Sequence, residues 1–167
     1  AGPGGYTCAI RCAQLGFNTV CIDKRESLGG TCLNVGCIPS KALLDSSKKY
    51  EEALTKLSSH GVKINGSISL DWETMLNRKD KEVQNLSKGI EGLFAKNKIT
   101  KIVGNALIKS KDEIVVTEKN GSNKIIKTKN IIIASGSVPT PLTNIKFDEK
   151  KIVSSDGALS LKEIPKK

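Results

Sequence analysis

The sequence predicts an α/β fold, a parallel sheet carrying helices together with a three-stranded β-meander, and three observations predict it. Near the start a glycine-rich turn, an amphipathic helix, a short apolar strand and a carboxylate follow one another. Two longer helical stripes come next. Beyond residue 99 the apolar period changes from helical to strand-like, punctuated by turn residues. With 38% hydrophobic and 26% charged residues in 167, the chain can bury the core of one domain or parts of two, and it is expected to be globular.

The first helix is expected from Gly4 to Leu15, where Cys8, Ala9, Cys12, Ala13 and Leu15 share a stripe that ends at Gly16, a residue suited to a left-handed cap. Asn18 to Asp23 contains the unbroken apolar run Val20-Cys21-Ile22 and reads as a buried parallel strand. Pro39 suits the first position of a second helix, because its missing N–H would be unbonded there anyway. Leu43, Tyr50, Leu54 and Leu57 carry that helix to about Ser59. Asp71 can cap a third, whose apolar residues recur from Trp72 to Phe94. Gly89 and Gly92 within it suggest close packing. Strands are expected at Ile99 to Val103, Ala106 to Lys109, Glu113 to Thr117, Lys124 to Thr128 and Asn130 to Ala134, with Asn120-Gly121 as a tight turn.

Composition excludes several classes. The longest apolar runs, such as Ile131 to Ala134, fall far short of the roughly 18 to 20 residues that cross a bilayer, so no membrane span is expected. The net charge of +10 raises nucleic acid as a partner, yet only Arg11, Arg25 and Arg78 are arginine and aromatics make up 4%. A solvated lysine surface is the expectation, with no nucleic-acid partner. The five cysteines, Cys8, Cys12, Cys21, Cys32 and Cys37, crowd one end in an odd number, unlike a secreted disulfide framework. With His60 the only histidine and no second cysteine pair downstream, no metal site is expected, which leaves redox chemistry or packing.

The dinucleotide fingerprint G-x-G-x-x-G needs glycine for a turn, for close approach of a diphosphate and for helix packing. Gly2 and Gly5 match its second and third glycines, and the first would precede Ala1. Alone, these glycines fit an ordinary turn equally well. Asp23 favours the nucleotide, since it stands about 20 residues on, where a carboxylate can accept ribose hydroxyls, with Lys24 beside it. The helix start at Gly4-Gly5 adds backbone donors for a diphosphate.

Gly29-Gly30-Thr31-Cys32-Leu33-Asn34-Val35-Gly36-Cys37-Ile38-Pro39-Ser40-Lys41 is far more specific. Here the chain resembles the pyridine nucleotide-disulfide oxidoreductases, whose redox disulfide has this C-x-x-x-x-C spacing. Leu33, Ile38, Ser40 and Ala42-Leu43-Leu44 are similar to the branch that oxidises dihydrolipoamide, and further matches lie at Gly89 to Phe94, Ile131 to Ser137 and Val153 to Leu161.

The resemblance implies a Rossmann-like FAD-binding domain that is incomplete in this chain. Residues 1–167 would be the N-terminal part of that domain, without its first strand, the NAD domain and the dimer-interface domain. It implies FAD and NAD as cofactors. Cys32 would be the outward thiol that exchanges with substrate and Cys37 the inward one facing the flavin, the two forming a disulfide when oxidised. Gly36 would let them meet, and the start of a helix favours negative charge on sulfur at Cys37. Lys41 would lie near the flavin, Gly30 and Thr31 near flavin and diphosphate, Ser135-Gly136-Ser137 near the diphosphate, and Ala106 against the adenine. Gly2, Gly4, Gly5, Asp23 and Lys24 complete the cofactor set.

The parent protein would oxidise protein-bound dihydrolipoamide, passing electrons through FAD to NAD, in a bacterial cytoplasm or a mitochondrial matrix. Its partners would be the lipoyl domains and core of 2-oxo acid dehydrogenase complexes. A homodimer would supply the histidine base from the other subunit. A mercuric or glutathione-type reductase, or a non-catalytic binding fragment, are the alternatives. Cys8, Cys12 and Cys21 are expected to be small buried hydrophobes, and His60 a surface turn residue. The start lacks a methionine or signal peptide and reads as a cut, so the fragment is expected to fold poorly, hold FAD weakly and lack turnover.

Overall fold

The computed structural model describes residues 1–166, so Lys167 of the expected domain lies outside the described residues. In chain order the elements are α1 (Pro3–Gln14), β1 (Val20–Asp23), α2 (Gly30–Val35), α3 (Cys37–Thr55), a 3-10 turn (Leu57–His60), α4 (Trp72–Lys96), β2 (Thr100–Val103), β3 (Asn105–Ser110), β4 (Glu113–Thr117), β5 (Asn123–Lys127) and α5 (Ser155–Ala158). They fall into two compact units, one of residues 1–34 and 85–138, the other of residues 35–84 and 139–166.

In the first unit, α1 starts at Pro3 behind Gly2 and is closed by Gly16, whose φ of +89° is the left-handed conformation that glycine adopts without penalty. The chain returns through β1, which pairs in parallel with β2 in the register Val20 to Thr100 through Asp23 to Val103. Cys21 and Ile102 bury their side chains on this pair. β3, β4 and β5 form the expected antiparallel meander, with the Gly121 N–H donating to the Glu118 carbonyl in the turn. Val116 of β4 and Leu28 are fully buried, each contributing about 1.5–3 kcal/mol by leaving water.

One expected strand is absent. Residues 130–134 run outside any strand, and Ile132 and Ile133 are 63% and 73% exposed. A strand is a paired state, and no neighbouring strand offers this run its N–H and C=O partners among the described residues. The run instead approaches α1, where a Cβ on Gly5 would stand 3.6 Å from that of Ala134.

In the second unit, α3 begins at Cys37 behind Gly36, two residues earlier than Pro39 suggested, so Pro39 is the third helical residue rather than the first. The early part of α4 is tied to α3 by Arg78, whose guanidinium donates to the Ala42 carbonyl at 3.0 Å and to Asp45 at 3.0 Å. Asp71 does cap α4, accepting from the Thr74 N–H at 2.9 Å. Trp72 and Lys79 of α4 donate to the carbonyls of Leu161 and Leu159, anchoring the segment around α5. Gly89 and Gly92 do not mark close packing among the described residues, where a Cβ at either would meet nothing within 4 Å. Glycine lowers helix propensity at these positions.

Candidate functional site

The glycine turn is built from two backbones that touch. Gly2 caps α1, and its carbonyl accepts the Tyr6 N–H at 2.9 Å. Gly30 opens α2 with φ +60°, and a Cβ there would lie 2.4 Å from the Gly2 Cα, closer than any side chain could stand. Gly29, at φ +106°, donates its N–H to the Ala1 carbonyl at 2.9 Å. Asp23 stands beside this contact at the end of β1, accepting from the Ala1 amine at 2.5 Å and from the Arg25 N–H at 2.8 Å. Burial opposes its ionisation more than any other single influence. The backbone hydrogen bond from the Arg25 N–H favours the ionised form against it.

A dinucleotide needs side-chain-free backbone at a helix N-terminus and an ionised carboxylate at the adjoining strand end. Gly2, Gly30 and Asp23 meet that need, so the residues fit FAD. Gly4 and Gly5 lie in the first turn of α1, and Lys24 is exposed beside Asp23.

Cys32 lies on α2, a short helix that the sequence reading missed. Its side chain is half-buried, Thr31 is exposed, and Leu33 is buried as the helix's anchor. Asn34, also missed, donates its amide to the Leu28 carbonyl at 3.1 Å and to that of Gly30 at 2.9 Å. Ser87 of α4, 7% exposed, donates to the same Leu28 carbonyl at 3.3 Å. An Asn four residues after a helix-opening glycine was the available signal for the clamp. Ser87 had none, because its partner lies 59 positions away.

In the second unit, Cys37 is the exposed first residue of α3. Gly36 has φ −142°, so no left-handed turn demands glycine there. Its carbonyl accepts both the Ser40 N–H at 3.0 Å and the Ser40 hydroxyl at 2.7 Å, which doubles the first hydrogen bond of the helix. Lys41 projects exposed from this turn, while Pro39 and Ala42 are buried.

The other expected residues stand apart from the glycine contact. Ser135, Gly136 and Ser137 are exposed on the run that follows Ala134, with Gly136 at φ +73°. Ala106 is exposed on β3, opposite Val116. Cys21 is buried as expected, but Cys8 and Cys12 are only half-buried, and their sulfurs approach to 3.9 Å across one turn of α1. The physical reason is their place on α1, where they pack against each other rather than into the core. His60 is exposed at the end of the 3-10 turn, before Gly61 at φ +77°. An open cleft of about 420 Å³ in the first unit is lined by Glu26, Lys101, Glu118, Lys119 and neighbours, and by none of the expected site residues.

Residues 1–167 match the model of the pyridine nucleotide-disulphide oxidoreductases. The chain is 57% identical over 166 residues to a protein named mitochondrial dihydrolipoyl dehydrogenase from Pisum sativum, covering 99% of this chain and 33% of that one. It is 55% identical to a leghemoglobin reductase of Glycine max, covering 99% of this chain and 32% of that one, and 50% identical to mitochondrial dihydrolipoyl dehydrogenase of Sus scrofa, covering 100% and 33%. It thus spans about a third of the length of the curated relatives it matches. On the match along its full length, the chain belongs to the pyridine nucleotide-disulphide oxidoreductase family.

Proposed function

We propose that this chain is the cysteine-bearing, N-terminal part of a dihydrolipoyl dehydrogenase. The observation that carries the reading is the placing of Cys32 and Cys37 on two helices, α2 and α3, that part at Gly36. α2 itself opens on the Gly2–Gly30 contact. One thiol is thereby tied to the nucleotide turn and the other to a helix start.

The thiol chemistry then follows. A substrate thiolate attacks the Cys32 sulfur, the Cys32–Cys37 bond breaks, and Cys37 leaves with the electron pair as a thiolate. The second substrate sulfur closes on the first, breaking the mixed disulfide and releasing Cys32. Two protons leave the substrate, which departs as a cyclic disulfide while the protein holds two thiols. FAD, when bound, supplies the two-electron link from these thiols to NAD. Gly2, Gly4, Gly5, Asp23, Lys24, Gly30, Thr31, Lys41, Ala106, Ser135, Gly136 and Ser137 are the residues of this chain that would hold it. Lys41, one turn into α3, places positive charge on the helix that carries Cys37.

The names of the pea and pig relatives favour a mitochondrial setting, which we take as the matrix, over a bacterial cytoplasm. They lend nothing to a mercuric or glutathione-type reductase. Partners in this reading are lipoyl domains and the core of a 2-oxo acid dehydrogenase complex, with a homodimer as the working form. No helix among the described residues is long and apolar enough to cross a membrane.

The test uses the full-length protein under anaerobic conditions without NAD. Adding dihydrolipoamide should create two new alkylatable thiols, at Cys32 and Cys37. Unchanged labelling of that pair would overturn the reading.

A further inference from the structure

The two carbonyls that lead into α2 are held from the side by groups with no assigned role. Leu28 is fully buried, and Gly29 and Gly30 both adopt positive φ, so the chain turns sharply just before the helix that carries Cys32. Such a turn has few intrinsic restraints, because glycine is free in both halves of φ space. Besides the Gly29 N–H bond to the Ala1 carbonyl, the turn is restrained by the Asn34 amide, which spans it by donating to Leu28 on its far side and to Gly30 on its near side. Ser87 reaches the Leu28 carbonyl from α4, so the same oxygen is held from two elements.

We propose that Asn34 is a positioning residue for Cys32. Its amide locks the Leu28–Gly30 turn, with Ser87 as a second brace, and so fixes where α2 presents the Cys32 sulfur relative to the Gly2–Gly30 contact. The proposal rests on the thiol-exchange reading above. Asn34 touches neither substrate nor cofactor in this role, and acts through the backbone that precedes Cys32. Misplacement by about 1 Å costs a reaction of this kind about a hundredfold, so a modest loosening should be visible.

The experiment takes the full-length flavoprotein and compares Asn34→Asp, Asn34→Ala and Ser87→Ala. Aspartate keeps the shape of asparagine but replaces the amide nitrogen, with both its N–H donors, by an oxygen that repels the carbonyls. Two readouts are made. One is turnover of dihydrolipoamide. The other is the rate at which iodoacetamide modifies Cys32 relative to Cys37 in reduced protein, a readout independent of turnover.

The expected result for Asn34→Asp is kcat lowered about 10- to 100-fold with KM within about twofold, FAD content unchanged, and Cys32 alkylation several-fold faster while Cys37 is unaltered. Ser87→Ala should show the same pattern more weakly. Because both act on one carbonyl, the double variant should lose less than the product of the single losses. Wild-type kcat and wild-type Cys32 reactivity in both Asn34 variants would overturn the proposal. So would parallel loss of FAD, of folding and of both thiol reactivities in all three variants, since that pattern describes a general structural role. If Cys32→Ser leaves turnover untouched, the thiol-exchange reading fails, and the positioning claim fails only on the alkylation result.

Discussion

The cysteines of this chain form two groups that spacing alone hardly separates. Cys8 and Cys12 are four positions apart, Cys32 and Cys37 five. The first pair rides one continuous helix, where residues four apart have Cβ atoms about 5–6 Å from each other. A disulfide needs about 3.5–4.5 Å between them. Their sulfurs accordingly stop at 3.9 Å, a thiol contact rather than a bond. The second pair is split between α2 and α3 with Gly36 between, so the periodicity of a helix does not set their separation. In the function proposed above, the redox pair is defined by an interruption of secondary structure, and the five-residue spacing matters because it leaves room for one.

The largest test of that contrast is activity. In the full-length enzyme, Cys32→Ser or Cys37→Ser should lower dihydrolipoamide turnover about a thousandfold or more, whereas Cys8→Ala and Cys12→Ala should stay within about twofold. The two inactivated variants should differ from each other. Cys37→Ser should remove any long-wavelength absorbance that appears on reduction, and Cys32→Ser should keep it. Identical spectra would sink the division into an exchanging and a cofactor-facing thiol.

Next in size is the turn that leads to Cys32, set against the turn that ends α1. Gly30→Ala would place a Cβ 2.4 Å from the Gly2 Cα at φ +60°, and should cost roughly 3 kcal/mol or more together with flavin retention. Gly16→Ala meets nothing within 4 Å, although its φ is +89°. It should cost only about 1 kcal/mol, with flavin retained. Denaturant melts with absorbance of bound flavin read both, and equal costs would mean that the Gly2–Gly30 contact is not as tight as described.

Much of this was legible in the sequence. The order glycine, helix, strand, acid located α1, β1 and Asp23, and alternation with Asn120-Gly121 located the meander, because these signals are local. The failures share a cause. Ile131 to Ala134 reads as a strand from composition, yet pairing depends on a neighbour that local composition does not report. Pro39 was expected at the helix start, but Gly36 and the doubly bonded Ser40 begin α3 earlier. The clamp on α2 from Ser87 joins residues 59 apart, and no window along the chain spans it.

Smaller still is the order of thiol reactivity in the reduced native protein. Cys21 is buried whereas Cys32 and Cys37 are not, so alkylation at neutral pH should run slowest at Cys21. Cys8 should lag as well, because its hydrogen bond with Cys12, then burial and the neighbouring sulfurs, push its thiol above the ordinary range. Peptide mapping after short exposures reads this directly. Under denaturing, non-reducing conditions the oxidised protein should instead label Cys8, Cys12 and Cys21 and spare the other two.

The smallest effect is the alkaline response of the packing cysteines, and its sign can be worked out. Burial pushes the Cys21 thiol up, and the nearby Asp23 charge adds to it, against opposing pulls from the Ala1 amine and Lys101. The folded state therefore holds its proton more tightly than the unfolded chain, whose cysteines titrate near about 8.5. The stability this contributes is fully present below that unfolded value and is lost as pH rises through the higher folded one. Wild-type protein should thus lose stability between neutral and strongly alkaline pH more steeply than Cys21→Val, which fills the same apolar site without a titrating group. Thermal melts across that pH range would compare the two slopes. A Cys21→Val slope identical to wild type would show that Cys21 is not the buried, reluctant acid that separates the packing cysteines from the chemical ones.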